Sequence, residues 1–376
     1  MAKQRGHGEG SVYHRKDGRW AASITLEGRK RKTFYGKTRK EVQEQLKIAL
    51  RDQQQGMLVT GPQQTVKAYL EHWLEEVHKP TIHMSSYIKY RRILNRYIFP
   101  SLGHIQMQKL IPQHVQALYA QKLKEGLAAE TIRGIHRMLH KALDDAVRWN
   151  LVPRNVCDAV TQPRPTRYEI RPLTGEQAQL LLEKARGSRL ETILIVALTT
   201  GIRRGELLAL QWQDINFDEG SLHVCRTMNR IEGKGIMVSE PKTAKSRRKI
   251  MLPHLVIEAL KQHRVRQLEA RLKAGAAWKE RDLVFCNASG NFLDPANVLR
   301  MFGKLLRDAG LPHMRFHDLR HSAATILLTM GVHPKIVQEL LGHSQIGMTM
   351  DTYSHVLPSM QKEAMSRWDD WFREQS

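Results

Sequence analysis

Cysteine is scarce: Cys157, Cys225 and Cys286 are the only three in 376 residues, far apart and without a CxxC pair. An odd, scattered set argues against a disulfide framework and against a structural zinc site, and it suits a reducing compartment. No run of about 18 apolar residues occurs, so no membrane span is expected. The opening residues Met1-Ala2-Lys3-Gln4-Arg5 are basic but lead into glycine and polar residues, without the apolar stretch of a secretory signal. The expected compartment is the cytoplasm. Acidic residues are also in deficit. Asp and Glu number 37 against 60 Lys and Arg, a formal net charge of +23. Such an excess is met by a polyanion or tolerated as self-repulsion, and with no membrane segment or lipidation motif the leading polyanion is nucleic acid. The bland alternative is a basic protein that merely stays soluble.

Hydrophobic residues make up 41%, enough to bury real cores. The length suggests two or three domains. Residues 1–55 are dense in base: Lys3, Arg5, Arg15, Lys16, Arg19, Arg29, Lys30, Arg31, Lys32, Lys37, Arg39 and Lys40, opposed before residue 41 only by Glu9, Asp17 and Glu27. Ser11 to Arg15 reads as a strand, Lys16-Asp17-Gly18 as a hairpin turn, Arg19 to Leu26 as a second strand and Arg31 to Tyr35 as a third. Thr38 can cap a helix running through Val42, Leu46 and Leu50. Such a sheet can lay a β-ribbon in a major groove. An ordinary solvated sheet is the alternative.

Gly56 to Gln64 reads as a linker. Residues 65–160 follow as a helical block. Helices are expected from Thr65 to His78, from Ser85 or Ser86 to a stop at Pro100 and Gly103, from Pro112 to Gly126, and from Thr131 to Trp149. Their apolar stripes are core. Their polar faces carry Lys89, Arg91, Arg92, Arg133, Arg137 and Lys141, which can track phosphates. Pro153 to Pro172 reads as a second linker. Residues 172–376 mix helices with short strands expected at Leu222–Val224, Arg248–Leu252 and Leu283–Phe285.

Four patches in that last block place polar residues beside apolar ones. Thr199-Thr200-Gly201-Ile202-Arg203-Arg204-Gly205-Glu206 joins two helices. Pro241-Lys242-Thr243-Ala244-Lys245-Ser246-Arg247-Arg248 looks like a basic hairpin leading into a strand. Phe316-His317-Asp318-Leu319-Arg320-His321 sets His317 and Arg320 three apart, on one helix face. Leu340-Leu341-Gly342-His343 is followed by Asp351-Thr352-Tyr353-Ser354-His355. Singly, each has an ordinary explanation: a capping arginine, a solvated turn, a packed tyrosine. The spacing of His313, His317 and His321 by four raises a zinc site, but Pro312 sets His313 before the helix and no carboxylate or thiol completes the set. Together the patches supply two arginines, a lysine, two histidines and a tyrosine. That is the inventory for phosphoryl transfer without a metal. Guanidinium forks neutralise the non-bridging oxygens, a phenol attacks, and a lysine protonates the leaving sugar oxygen.

The motifs TGIRRGE, PKTAKSRR, HDLRHSAAT, LLGHSQI and DTYSHV, in this order, resemble the tyrosine recombinase (phage integrase) family over about Leu173 to Val356. The resemblance implies a multidomain α+β chain. A small three-stranded sheet plus helix (1–55) would bind arm-type DNA sites. An all-α core-binding domain (65–160) would follow, then a mainly α catalytic domain with a small antiparallel sheet and a tail helix (172–376). It implies that Arg203 and Arg320 clamp the scissile phosphate, that Lys242 is the general acid for the 5′-hydroxyl, with Lys245 as competitor, and that His317 assists proton transfer at Tyr353. His343 would hydrogen-bond the phosphate, Glu206 would buttress the site, and Tyr353 would form a 3′-phosphotyrosyl link. His321 is read as structural. The implied activity is integration and excision of a mobile element or prophage. A Xer-like dimer resolvase, a type IB topoisomerase, or a DNA-binding regulator with an inactive recombinase domain are the alternatives. No metal, ATP or other cofactor is implied. The partners are double-stranded DNA at core-type and arm-type sites, three further copies in a homotetramer, and an excision factor or host DNA-bending protein. The tail, Ser359 to Phe372 with Met360, Met365, Trp368 and Trp371, docks on a neighbouring protomer or closes its own domain.

Overall fold

Alternation over the first strands builds an antiparallel sheet in the order β1 (Ser11–His14), β2 (Trp20–Thr25), β3 (Arg31–Gly36). The turn expected at Lys16-Asp17-Gly18 is present: the Gly18 amide donates to the Arg15 carbonyl and Gly18 sits at φ +79°. Register pairs Val12 with Ala22 and Ala22 with Phe34, so these share the face covered by α1 (Arg39–Gln54), whose Val42, Leu46 and Ala49 complete a small core. Thr38 caps that helix through a bond from the Glu41 amide to its Oγ1. The opposite face leaves Tyr13 and Tyr35 about half exposed, with the Arg15 and Arg19 guanidiniums over the Tyr35 ring.

The computed structural model describes residues 10–25, 31–54, 63–165, 170–231, 233–240 and 246–342, together with Met365 and Trp368. The chain divides into two compact units, Met1–Arg167 and Tyr168–Ser376.

The helical part of the first unit holds α2 (Val66–His72), α3 (Met84–Ile93), α4 (Phe99–Leu102), α5 (Pro112–Lys124) and α6 (Ala129–Arg148). Thr65 caps α2 by accepting from the Ala68 amide. The expected stripes are the core: Tyr69, Leu70, Trp73, Ile132, Ile135, Leu139 and Leu143 are buried together. Three local expectations are corrected. The helix expected from Ser85 or Ser86 starts at Met84, with both serines inside its first turn. Pro100 does not stop the following helix. The wide turn Leu94–Ile98, bonded in π fashion from the Phe99 amide to the Leu94 carbonyl, precedes it, and Pro100 occupies the first turn of α4, where a missing N–H is tolerated. The first half of the expected second linker is core. Val156, Cys157 and Val160 are buried, because Asn155 clamps this stretch to α6 through bonds from its amide to the His140 carbonyl and the Asp144 carboxylate.

The second unit packs α7 (Gly175–Ala185), α8 (Glu191–Thr200), α9 (Arg204–Leu207), α10 (His254–Ala274), α11 (Pro295–Asp308), α12 (Asp318–Thr329) and α13 (Pro334–Leu341) with two small sheets. One sheet has the order β4 (Ile215–Asn216), β5 (Ser221–Val224), β8 (Arg248–Met251); the other pairs β6 (Thr227–Ile231) with β7 (Gly235–Ser239). Helix α8 is apolar around most of its circumference and is accordingly the buried centre of the unit. The strand expected at Leu283–Phe285 is corrected. The run is buried, but it makes only an isolated bridge at Leu283. Side chains of α10 replace ladder partners there: Gln267 donates to the Leu283 and Val284 carbonyls, and His263 lies 2.8 Å from the latter. Among the described residues no helix is long and apolar enough to cross a membrane.

Candidate active site

Helix α8 ends where the sequence changes from apolar to Thr-Thr-Gly. Gly201 takes φ +59°, the left-handed conformation that closes the helix. Arg203 then stands as the residue before α9, and Glu206 in the first turn of α9 accepts from the Arg203 amide at 3.2 Å. The same Glu206 carboxylate holds the Arg203 side chain, Nη1 to Oε1, at 2.9 Å. Backbone and guanidinium of one residue are thus fixed by one carboxylate.

Arg320 comes from the first turn of α12 and is 4% exposed. Its Nη1 donates to the Gly201 carbonyl at 2.7 Å and its Nη2 to the Leu341 carbonyl at 2.6 Å. Arg203 reaches the neighbouring position, Nη2 to the Gly342 carbonyl, at 3.3 Å. The last carbonyls of a helix have no partner within it and carry the negative end of its dipole, so guanidiniums suit them. Helix α13 ends in Gly342 at φ +67°, one residue before His343.

His317 lies immediately before α12, and the Arg320 amide donates to its carbonyl. The ring reaches solvent. Its partial burial, and then the Arg320 guanidinium, hold it below the ordinary histidine range, so it is neutral at pH 7. A neutral imidazole can accept a proton. His321 packs edge-on against His317, with ring centroids 5.6 Å apart, and is pushed down to about 4, chiefly by burial. Asp318, fully buried, ties Arg315 in a fork that braces the start of α12.

The structure therefore brings Arg203, Glu206 and Arg320 together, with His317 in electrostatic reach of both arginines. Lys242, its competitor Lys245, His343 and Tyr353 lie outside the described residues, as does most of the tail, of which Met365 and Trp368 are exposed. One residue of this cluster is not singled out by sequence: Arg248. Its side chain is 7% exposed and donates from Nη2 to Glu206 Oε2 at 3.0 Å and from Nε to the Leu340 carbonyl at 2.7 Å. The signal lay in the strand period. Arg248 shares a face of β8 with Ile250, which is buried. Burial alone would raise the Glu206 carboxyl, but Arg248 and then Arg203 outweigh it and hold it below the usual range. Two guanidiniums thus flank a single carboxylate, and a third, that of Arg320, joins them at the end of α13, leaving a surplus of positive charge. A cavity of about 450 Å³ lined by Leu190, His263, Trp278, Phe285 and Met301 lies elsewhere in this unit and contains none of these residues.

Comparison with known families matches residues 171–360, the segment that contains this cluster, to the Phage integrase family. The chain belongs to the phage integrase family. Residues 65–124 match a second description, Phage integrase, N-terminal SAM-like domain. A tyrosine recombinase XerC-like protein of Caldanaerobacter subterraneus is 32% identical over 360 residues, covering 91% of this chain and 92% of that one. An integrase of Streptomyces ambofaciens is 31% identical, covering 97% of each chain. Among solved structures, the Tn1549 transposon integrase in complex with transposon right end DNA aligns with a TM-score of 0.69 at 23% identity, over 81% of this chain and 99% of that one. A lambda integrase tetramer bound to a Holliday junction aligns with a TM-score of 0.56 at 19% identity, over 93% of this chain and 96% of that one. These likenesses establish the shared fold of the family: mostly helical, with small antiparallel sheets.

Proposed function

We propose that this family member is a site-specific DNA recombinase that cuts and rejoins strands through a covalent bond to Tyr353. In this reading Arg203 and Arg320 take the non-bridging oxygens of the scissile phosphate. The Tyr353 oxygen attacks phosphorus, the bond to the 5′-oxygen breaks, and Lys242 gives that oxygen its proton. His317 accepts the phenolic proton, and His343 hydrogen-bonds the phosphate. The link formed is a 3′-phosphotyrosine. It retains the phosphodiester energy, so a 5′-hydroxyl of another strand can reverse the step without ATP. The observation that carries this reading is the meeting of Arg203 and Arg320 at the end of α13, with more guanidinium than carboxylate around them. Preorganised positive charge of this kind is what a phosphoryl-transfer transition state needs.

Three divisions of labour go with it. Residues 1–55 bind arm-type sites with the basic sheet, 65–160 bind the core site, and 172–376 carry the chemistry. The N-terminal sheet with its arginines supports integration and excision of a mobile element over dimer resolution. Double-stranded DNA is the substrate. A homotetramer on two sites is the working form, by analogy with the lambda integrase tetramer bound to a Holliday junction. An excision factor or host DNA-bending protein would set direction, and the place of action is the bacterial cytosol at the nucleoid.

The test is a nicked suicide duplex carrying the core site mapped by footprinting the DNA beside the gene. Full-length protein should be trapped as a covalent adduct with chelator present. Tyr353→Phe should give no adduct while DNA binding stays nearly intact. An adduct with the Phe variant would overturn the nucleophile. No adduct with the unaltered chain, despite binding, would favour a DNA-binding regulator.

A further inference from the structure

The last turn of α13 is held in an unusual way. Its three successive carbonyls, of Leu340, Leu341 and Gly342, each accept from a different arginine, Arg248, Arg320 and Arg203. Two of these belong to the proposed phosphate clamp. Arg248 does not fit that role. Its guanidinium is nearly buried, and Nε, Nη1 and Nη2 are engaged by the Leu340 carbonyl, the Ser246 carbonyl at 3.1 Å and the Glu206 carboxylate.

Glu206 explains why a third arginine is there. A carboxylate 3% exposed cannot rely on water and must be neutralised by its neighbours. With Arg203 as its sole partner, the pair would sum to zero, and the fork of Arg203 would turn wholly to the carboxylate. Arg248 divides the load: Oε1 takes the Arg203 guanidinium and Oε2 that of Arg248. One positive charge is left over for a ligand. At the same time Arg248 anchors the strand that follows residues 241–245 to the helix end that precedes His343. We propose that Arg248 is a positioning residue for strand cleavage: it neutralises Glu206 so that Arg203 remains available to the phosphate, and it pins the end of α13. This rests on the reading of Arg203 as a phosphate ligand.

The test uses the full chain and the same nicked duplex, with single-turnover cleavage and DNA affinity measured separately. Arg248→Met should slow cleavage on the order of 10- to 100-fold, within the range that couplings between contacting charged groups commonly span, while affinity changes by no more than about threefold. Adding Glu206→Gln should then recover about tenfold of the loss, because the neutral amide no longer competes for Arg203. A merely structural arginine gives no such recovery. Cleavage by Arg248→Met at the unaltered rate, or no recovery in the double variant, would overturn the proposal. If Arg248→Met does not fold, Arg248→Lys and Arg248→Gln decide. The lysine keeps the charge beside Glu206 and should cleave about tenfold faster than the glutamine. Equal rates would refute the charge argument. Failure of the unaltered chain to form an adduct would instead count against the recombinase reading itself.

Discussion

Replacing Gly201 by alanine should disable the site without removing a charged group. Two costs add. Gly201 lies at φ +59°, where a side chain is disfavoured by about 1 kcal/mol. A Cβ at this position would also sit 2.4 Å from Leu341 Cδ2. Leu341 is fully buried, so relieving the contact means repacking its side chain or shifting the end of α13, at roughly 1–3 kcal/mol for an overpacked core. The expected loss is ~2–4 kcal/mol. Gly187 offers a control in the same unit. It has φ +73°, but nothing lies within 4 Å of an added Cβ, so alanine there meets the backbone cost alone. Urea unfolding of both variants, read against the unaltered chain, isolates the steric part. Single-turnover cleavage should fall in Gly201→Ala only, because Leu341 lies in the helix end whose carbonyls hold Arg203, Arg248 and Arg320. Equal destabilisation of the two variants within about 0.5 kcal/mol would refute the reasoning. So would unaltered cleavage by Gly201→Ala.

Arg203→Ala and Arg320→Ala should each slow cleavage by ~100-fold or more. Arg320→Ala should also unfold at lower urea than Arg203→Ala, since it strips the Gly201 and Leu341 carbonyls of a buried donor; the reverse order in urea would contradict the hydrogen-bond assignment. The folded-state value of about 4 for His321 lies below its unfolded value of about 6.5, so the unfolded chain binds the extra proton in between. Stability should therefore be lost as pH falls from about 6.5 to about 4, by at most ~3 kcal/mol and by about half that once solvent screening is counted. His321→Gln should flatten this slope in urea titrations across that range, and an unchanged slope would reject the assignment. Truncation before Gln64 should abolish arm-site binding in footprints yet spare weak cleavage of a core-site suicide duplex; loss of all cleavage would contradict the division of labour.

Much of the fold was legible because its signals are local. The stripe Ile132, Ile135, Leu139, Leu143 and the paired alternation of β1 and β2 each need only a few neighbouring residues to be read. The turn at Gly18 and the cap at Thr38 are equally local. The misreadings share a cause in tertiary bonding. Leu283–Phe285 has the composition of a strand, but Gln267 and His263 occupy its carbonyls. Val156 and Cys157 sit among prolines, yet Asn155 fastens them to α6. Pro100 is tolerated because the π turn before it rearranges the bonds it would have broken. At the site, the order of the motifs pointed to Arg203, Glu206, His317 and Arg320. Arg248 escaped notice because its partners lie 42 and 92 positions away, and because a basic run leading into a strand resembles a solvated turn.

The bonds at the end of α13 also fix when in synthesis the site can be completed. They span 139 positions for Arg203 and 92 for Arg248, and the companion bond from Arg320 to Gly201 spans 119. A nascent or truncated chain that stops before Leu340 has all three arginines, Glu206 and the Gly201 carbonyl, but not the three α13 carbonyls on which the arginines converge. The arginine cluster is thereby completed only when the chain has been made through the end of α13.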